Sequence, residues 1–172
     1  MKGESQEPSQ RAAIQTEVAR ILESAVFSAQ GQFEAAKAWR ALHWTLGVLT
    51  AGLSTLAAVL TFATDAQIAS GVLAVVAAIA AAVLTSSRPD KLAERAVARG
   101  NDYTTLRNDA RRLLHVQAPN DEIGVLREAL DGLAGRASDL DHTSDPIPRF
   151  AYKKAKWNIE WDGGQQFEVD AS

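Results

Sequence analysis

Two uncharged apolar runs dominate the pattern of the chain. No charged residue lies between Arg40 and Asp65, and none between Asp65 and Arg88. Roughly 24 and then 22 positions are therefore uncharged, each beyond the ~18–20 at which an apolar run predicts a membrane span. At a rise of about 1.5 Å per residue, either run as a helix covers about 30 Å, the thickness of a hydrocarbon core. The spans are predicted over about 41–64 and 67–87. Only Thr64-Asp65-Ala66-Gln67 joins them, too few residues for anything but a tight antiparallel turn, so 41–87 is expected to form a transmembrane hairpin.

The flanking segments follow a helical period. Residues 1–9 are polar, contain Pro8 and are expected to fray. Over 10–40, Ile14, Val18, Ile21, Leu22, Ala25, Ala29 and Phe33 recur every three or four positions, with Glu17, Arg20, Glu23 and Glu34 elsewhere on the wheel. This long amphipathic helix runs without a breaker towards the first span, and Gly31 is its weak point, worth about 1 kcal/mol against alanine. Trp39 and Trp44 stand at the entry, where indoles favour headgroup depth.

The region 88–161 is predicted to be a cytoplasmic set of helices. Pro89 suits a first helical turn, with Ser86 or Ser87 as its cap. Ala96, Tyr103, Leu106, Ala110, Leu113 and Leu114 form one apolar stripe, broken at Gln117-Ala118-Pro119-Asn120. A further helix over 121–141 carries Ile123, Leu126, Leu130, Leu133, Ala137 and Leu140. Asp145-Pro146-Ile147-Pro148 forces an extended turn, and a last helical stretch runs from Phe150 to Trp161. Gly163-Gly164 ends it, and 162–172 is expected to be a flexible tail. No strand pattern or internal repeat is present, so the predicted class is all-α.

Lysine and arginine set the orientation. Lys37 and Arg40 precede the first span, and Arg88, Lys91, Arg95 and Arg99 follow the second, whereas the connecting turn has none. The positive-inside rule then places both termini in the cytoplasm and Asp65 outside.

Small and polar residues divide the spans into faces. In the second, Ser70, Ala74, Ala77 and Ala81, with Ala66, share one side and mark where another helix packs; Ile68, Val72, Val75, Val76, Ile79 and Val83 take the opposite, lipid-facing side. In the first, His43, Gly47, Thr50, Ser54, Ala57, Thr61 and Thr64 fall within roughly 80° of one another. The hydroxyls either bond their own helix and serve close packing, or line a water-filled path formed by several subunits. One hairpin cannot enclose a pore, so Gly47, Thr50, Ser54, Thr61 and Asp65 are pore-lining candidates only in a homo-oligomer. A ring of Asp65 at the outer mouth would favour cations. His43 is read as an interfacial histidine at headgroup depth, with a proton-sensing role as the alternative.

Composition narrows the chemistry. A net charge of −3 argues against a polyanion-coating protein. With no cysteine there is no disulfide, thiolate metal site or cysteine nucleophile. The three histidines, His43, His115 and His142, lack metal-ligand spacing. No signal-peptide pattern opens the chain. There is no phosphate-cradling glycine loop, nucleophile elbow or HExxH pair, and Asp139 with Asp141 reads as a solvated helix end. The expectation is a non-enzyme without cofactor or metal.

Candidate binding chemistry lies on the helix after the spans. Arg99, Tyr103 and Arg107 stand at four-residue steps, with Arg111 and Arg112 beyond. Guanidiniums pair bidentately with phosphates and a tyrosine ring can stack a base, so a symmetric oligomer would gather these residues into a basic funnel for an anionic ligand. The competing account pairs the arginines with Glu94, Asp102, Asp109 or Glu128 and packs Tyr103 in the core. Lys153, Lys154, Lys156, Trp157 and Trp161 admit three roles: closing the cytoplasmic bundle, which is favoured, lying on the anionic inner leaflet at about 1 kcal/mol per basic residue, or touching an oligonucleotide.

The block Ala96-Val97-Ala98-Arg99-Gly100-Asn101-Asp102-Tyr103-Thr104-Thr105-Leu106-Arg107, followed by Asp109-Ala110-Arg111-Arg112, comes directly after a two-helix hairpin. A leucine-spaced helix and the Pro146-Ile147-Pro148 turn with Phe150, Tyr152 and Ala155 come next. In this layout, and in the Gly-x-x-Tyr-x-x-Leu-Arg signature at Gly100–Arg107, the chain resembles the SLATT family over about residues 15–158. These are two-transmembrane effector domains found beside nucleotide-synthesising and nucleotide-sensing proteins in bacteria. The resemblance implies a homo-oligomeric channel or pore of an anti-phage defence system in the bacterial inner membrane. It further implies switching by a nucleotide second messenger or short oligonucleotide made by a partner nucleotidyltransferase, with loss of membrane integrity. The alternative function is a non-conducting membrane scaffold whose cytoplasmic helices recruit a partner. A soluble bundle is disfavoured, because the other helices offer too little apolar face to cover both runs.

Overall fold

The computed structural model describes residues 7–63 and 67–164, and all the regular structure in them is helical. Helix α1 runs unbroken over Glu7–Ala63, as expected of a stretch whose only proline, Pro8, falls in the first turn, where a missing N–H costs nothing. It begins three residues before the position the apolar period marks. Helix α2 follows over Gln67–Ser87, α3 over Pro89–Arg112, a π-helical turn over Leu113–Gln117, α4 over Ala118–Asn120, α5 over Ile123–Thr143 and α6 over Arg149–Glu160. The turn residues 64–66, including Asp65, the first six residues and the tail from 165 lie outside the described residues.

The contacts divide the chain into two units. One comprises residues up to Ala35 and from Ala96 on, and the other Ala36–Arg95.

The first unit is a helical bundle with a conventional apolar core. Ile14, Val18, Ala25 and Ala29 of α1 meet Tyr103, Leu106 and Ala110 of α3, Leu113 and Ala118 beyond it, and Leu126 and Leu133 of α5. These are stripe positions at three- and four-residue spacing, so the periodicity found its partners. Two glycines inside helices admit close neighbours that a side chain would displace. A Cβ on Gly31 would stand 2.8 Å from Ile147 Cδ1, and one on Gly100 would stand 2.7 Å from Phe33 Cε1. Gly31, a weak point of an isolated helix, is thus the seat on which the proline turn rests. Gln32 Nε2 secures the same turn by donating to the Asp145 carbonyl at 3.1 Å. Helix α6 adds to the bundle through Ala151 and Ala155, both fully buried.

Three local expectations are corrected. The helix does not break at 117–120. Pro119 has no N–H for the His115 carbonyl and its ring would collide with it in an α-helix; the widened π turn, closed by Ala118 N–H donating to the Leu113 carbonyl, carries the helix past the proline. It stops at Asp121, which is extended. Arg11 caps that end, donating to the carbonyls of Ala118 and, at 2.9 Å, Asp121. Second, Ser86 and Ser87 do not cap α3: their hydroxyls donate to the Ala82 and Val83 carbonyls within α2. Arg88 makes the break with a left-handed φ of 43°, and its carbonyl accepts from Lys91 and Leu92. Third, Glu34 is not on a solvated face of α1. Its side chain is 2% exposed and paired with Lys154 Nζ at 3.1 Å.

The second unit is built differently. The 18-residue windows richest in apolar residues on α1 and on α2 are only 6% and 17% buried. Both helices are long and apolar enough to cross a membrane. Ile68, Val72, Val75, Val76, Ile79 and Val83 all point outward from α2, whereas Ser70, Ala77 and Ala80 are buried. An apolar exterior over a small-residue interior inverts the arrangement of the first unit.

Candidate functional site

Within the second unit, the polar stripe of α1 and the small-residue stripe of α2 line a single cleft of about 450 Å³. Thr50, Ser54, Ala57 and Thr61 contribute one wall; Ser70, Gly71, Ala74, Ala77 and Ala81 contribute the other. Two candidate sets assigned separate tasks, pore lining on α1 and helix packing on α2, therefore face the same space. Gly47 is half-buried and does not line it.

The hydroxyls in the cleft divide into two kinds. Thr61 Oγ1 donates to the Ala57 carbonyl at 2.8 Å and Ser70 Oγ to the Gln67 carbonyl at 2.9 Å, so both are satisfied by their own helices. Thr50 Oγ1 is enclosed and has no hydrogen-bond partner among the described residues. His43 Nδ1 is likewise enclosed without a partner, and the imidazole meets the exposed Trp44 edge-on at a centroid distance of 6.3 Å.

On the first unit the candidate ligand residues do not form one open face. Tyr103 is 4% exposed, and its hydroxyl donates to Asp141 Oδ1 at 2.8 Å, tying α3 to α5. Its ring offers no surface for a base. Burial raises the pKa of this tyrosine, and the neighbouring Asp141 carboxylate raises it further. Arg99 pairs with Asp102 at 3.3 Å and Arg112 with Asp109 at 3.8 Å. Arg107 is half-buried beside Asn108, to which its Nη2 donates at 3.3 Å. Burial lowers the pKa of Arg107, and repulsion from the Arg111 guanidinium lowers it further.

Three contacts carry structure that sequence spacing did not single out. Arg136 of α5 bonds Asp109 of α3 at 2.7 Å. Asp141, read as a solvated helix end, accepts from the buried Tyr103. Glu34 Oε1 accepts from Gln30 Nε2 at 3.2 Å and its Oε2 pairs with Lys154. The only signal for Glu34 lay in its place three residues after Gly31 and one after Phe33, both of which pack inward. Among the described residues no cluster of three or more histidine and acidic side chains could hold a metal ion.

Comparison with known proteins decides no family. No protein-family model, curated protein or solved structure matches the chain.

Proposed function

We propose that this protein is an integral membrane effector that works as a homo-oligomeric channel. Residues 41–87 form a transmembrane hairpin, both termini are cytoplasmic, and an anionic nucleotide or short oligonucleotide controls opening from the cytoplasmic side. The observation that carries this reading is the inverted second unit, apolar outside and lined by hydroxyls and alanines inside.

The energetics favour a bilayer. Among the described residues, thirteen of the nineteen large hydrophobic side chains left exposed lie between Leu42 and Val83. At about 1 kcal/mol or more each, leaving them in water would offset the 5–15 kcal/mol that stabilises a typical domain. Such a surface also far exceeds the few hundred Å² of contiguous apolar patch that a soluble monomer carries. Lipid reverses this cost, and the charges bounding the runs agree with a cytoplasmic placement of both ends.

Oligomerisation supplies what a lone hairpin lacks. Two helices cannot surround a water path, but a ring of hairpins can, with Thr50 and Ser54 turned to it. Resemblance to the SLATT family supports the same picture, in which the protein acts in bacterial anti-phage defence downstream of a nucleotidyltransferase. The candidate ligand contacts on this reading are the arginines along α3, repeated around the axis. Moving a channel from 1% to 99% open takes about 5.5 kcal/mol of differential affinity, a modest share for each of several identical sites.

The test is flux from liposomes holding the purified protein, with and without cyclic and linear oligonucleotides. Ligand-dependent ion leakage is expected. A protein that inserts yet never conducts would instead be the non-conducting scaffold.

A further inference from the structure

Helix α6 presents two unlike faces. Ala151 and Ala155 are fully buried against the first unit. At 100° per residue, Phe150, Lys153, Lys154, Trp157 and Trp161 fall within an arc of roughly 100° on the outward side. Trp157 is 59% and Trp161 72% exposed, and their rings stack at a centroid distance of 5.7 Å and an interplanar angle of 24°. Phe150 is also exposed. The thirteen residues from Arg149 to Trp161 therefore carry a large aromatic face that the bundle leaves uncovered.

The charge on the same helix selects what can cover it. Arg149, Lys153, Lys154 and Lys156 stand against the single acid Glu160, in a chain whose net charge is −3. Lys154 is committed to Glu34 and Lys156 lies 3.7 Å from Glu160, while Arg149 and Lys153 are exposed along one edge of the aromatic stripe. Indoles flanked by basic residues on one face of a short helix match the physical demands of a bilayer interface, where the ring occupies headgroup depth and the cation meets anionic lipid.

We infer that α6 is an interfacial helix that docks on the anionic headgroups of the bilayer through Trp157, Trp161 and Phe150, with Arg149 and Lys153 supplying charge attraction. Buried Ala151 and Ala155 then transmit the docked position to the bundle, since α6 cannot move on the membrane without shifting its packing. The inference rests on the membrane-embedded reading of the second unit, and its test reports on both separately.

The full chain is reconstituted in nanodiscs of phosphatidylcholine alone or with an equal part of phosphatidylglycerol. Two single-tryptophan forms are compared, one retaining Trp157 and the other Trp44, with the remaining indoles replaced by phenylalanine. Trp44 reports the span: quenching by brominated lipid is expected in both compositions. Trp157 reports α6: emission should move to shorter wavelength and brominated lipid should quench it, in the phosphatidylglycerol discs above all. Arg149→Glu and Lys153→Glu should each lower the docked-to-undocked ratio about fivefold or more. Quenching at Trp44 with none at Trp157 overturns the docking of α6 and leaves the span intact. No quenching at Trp44 overturns both. A Trp157 shift produced by added oligonucleotide in discs without phosphatidylglycerol, and not by phosphatidylglycerol, also overturns it and assigns the face to nucleic acid.

Discussion

The ring of Phe33 on α1 lies directly over Gly100 on α3, so close that a Cβ there would stand 2.7 Å from Cε1 and 2.9 Å from Cζ. The contact holds the two helices side by side within the first unit.

Gly100→Ala should therefore destabilise the first unit by about 1–3 kcal/mol, despite alanine's higher helix propensity, because the stiff ring must move. Phe33→Leu frees the space, so the double variant should lose less than the sum of the two single changes. Thermal unfolding of the detergent-solubilised protein, followed by circular dichroism, measures both.

Tyr103 links stability to alkaline pH. Its pKa is raised in the folded protein, so the folded state holds the phenolic proton more tightly than the unfolded chain. The stabilisation is fully present below the ordinary tyrosine value of about 10 and is lost as pH rises past it towards the raised value. Tyr103→Phe should abolish that alkaline decline and cost about 1 kcal/mol at neutral pH through the lost bond to Asp141. Denaturant titrations at neutral pH and above pH 10 decide it.

Removing one member of the Glu34–Lys154 pair should have unequal effects. Glu34 is 2% exposed and Lys154 67% exposed, so Lys154→Ala leaves a carboxylate buried with one fewer partner and should cost about 1–3 kcal/mol, below the full penalty of a deeply buried pair. Glu34→Gln in that background should recover part of the loss. Chemical denaturation of the three variants tests the order.

On the proposed reading, ligand control should depend on the arginines of α3. Arg107→Ala and Arg111→Ala are each expected to abolish nucleotide-dependent leakage from liposomes while detergent-solubilised mass stays unchanged. Arg127→Ala, on α5, should leave the response intact. Equal responses in all three variants would remove the α3 pair from the ligand site.

In the cleft, Thr50→Leu and Ser54→Leu should reduce flux at least about tenfold without reducing insertion, because an apolar constriction dewets a narrow path. Thr61, bonded to its own Ala57 carbonyl, should tolerate valine with little change in flux. Single-channel or dye-release measurements separate the two classes.

Local periodicity was enough to foresee the helical class, both apolar runs and the core stripes of the bundle, because burial of one helical face repeats every three to four residues wherever it occurs. Ile14, Val18, Leu126 and Leu133 show it directly, each buried where its stripe required. What a helix meets is a different matter. Tyr103 and the arginines share spacing, yet the tyrosine turned inward to Asp141 while Arg107 stayed at the rim. Glu34 carries a charge that predicts exposure, but Lys154, 120 residues further on, pays for its burial. Pro119 signals a break, and the π turn absorbs it. Likewise, the hydroxyls of α1 and the alanines of α2 have no sequence relation that marks them as two walls of one cleft. Those outcomes depend on contacts between residues distant along the chain, whose energies exist only once the backbone has brought them together.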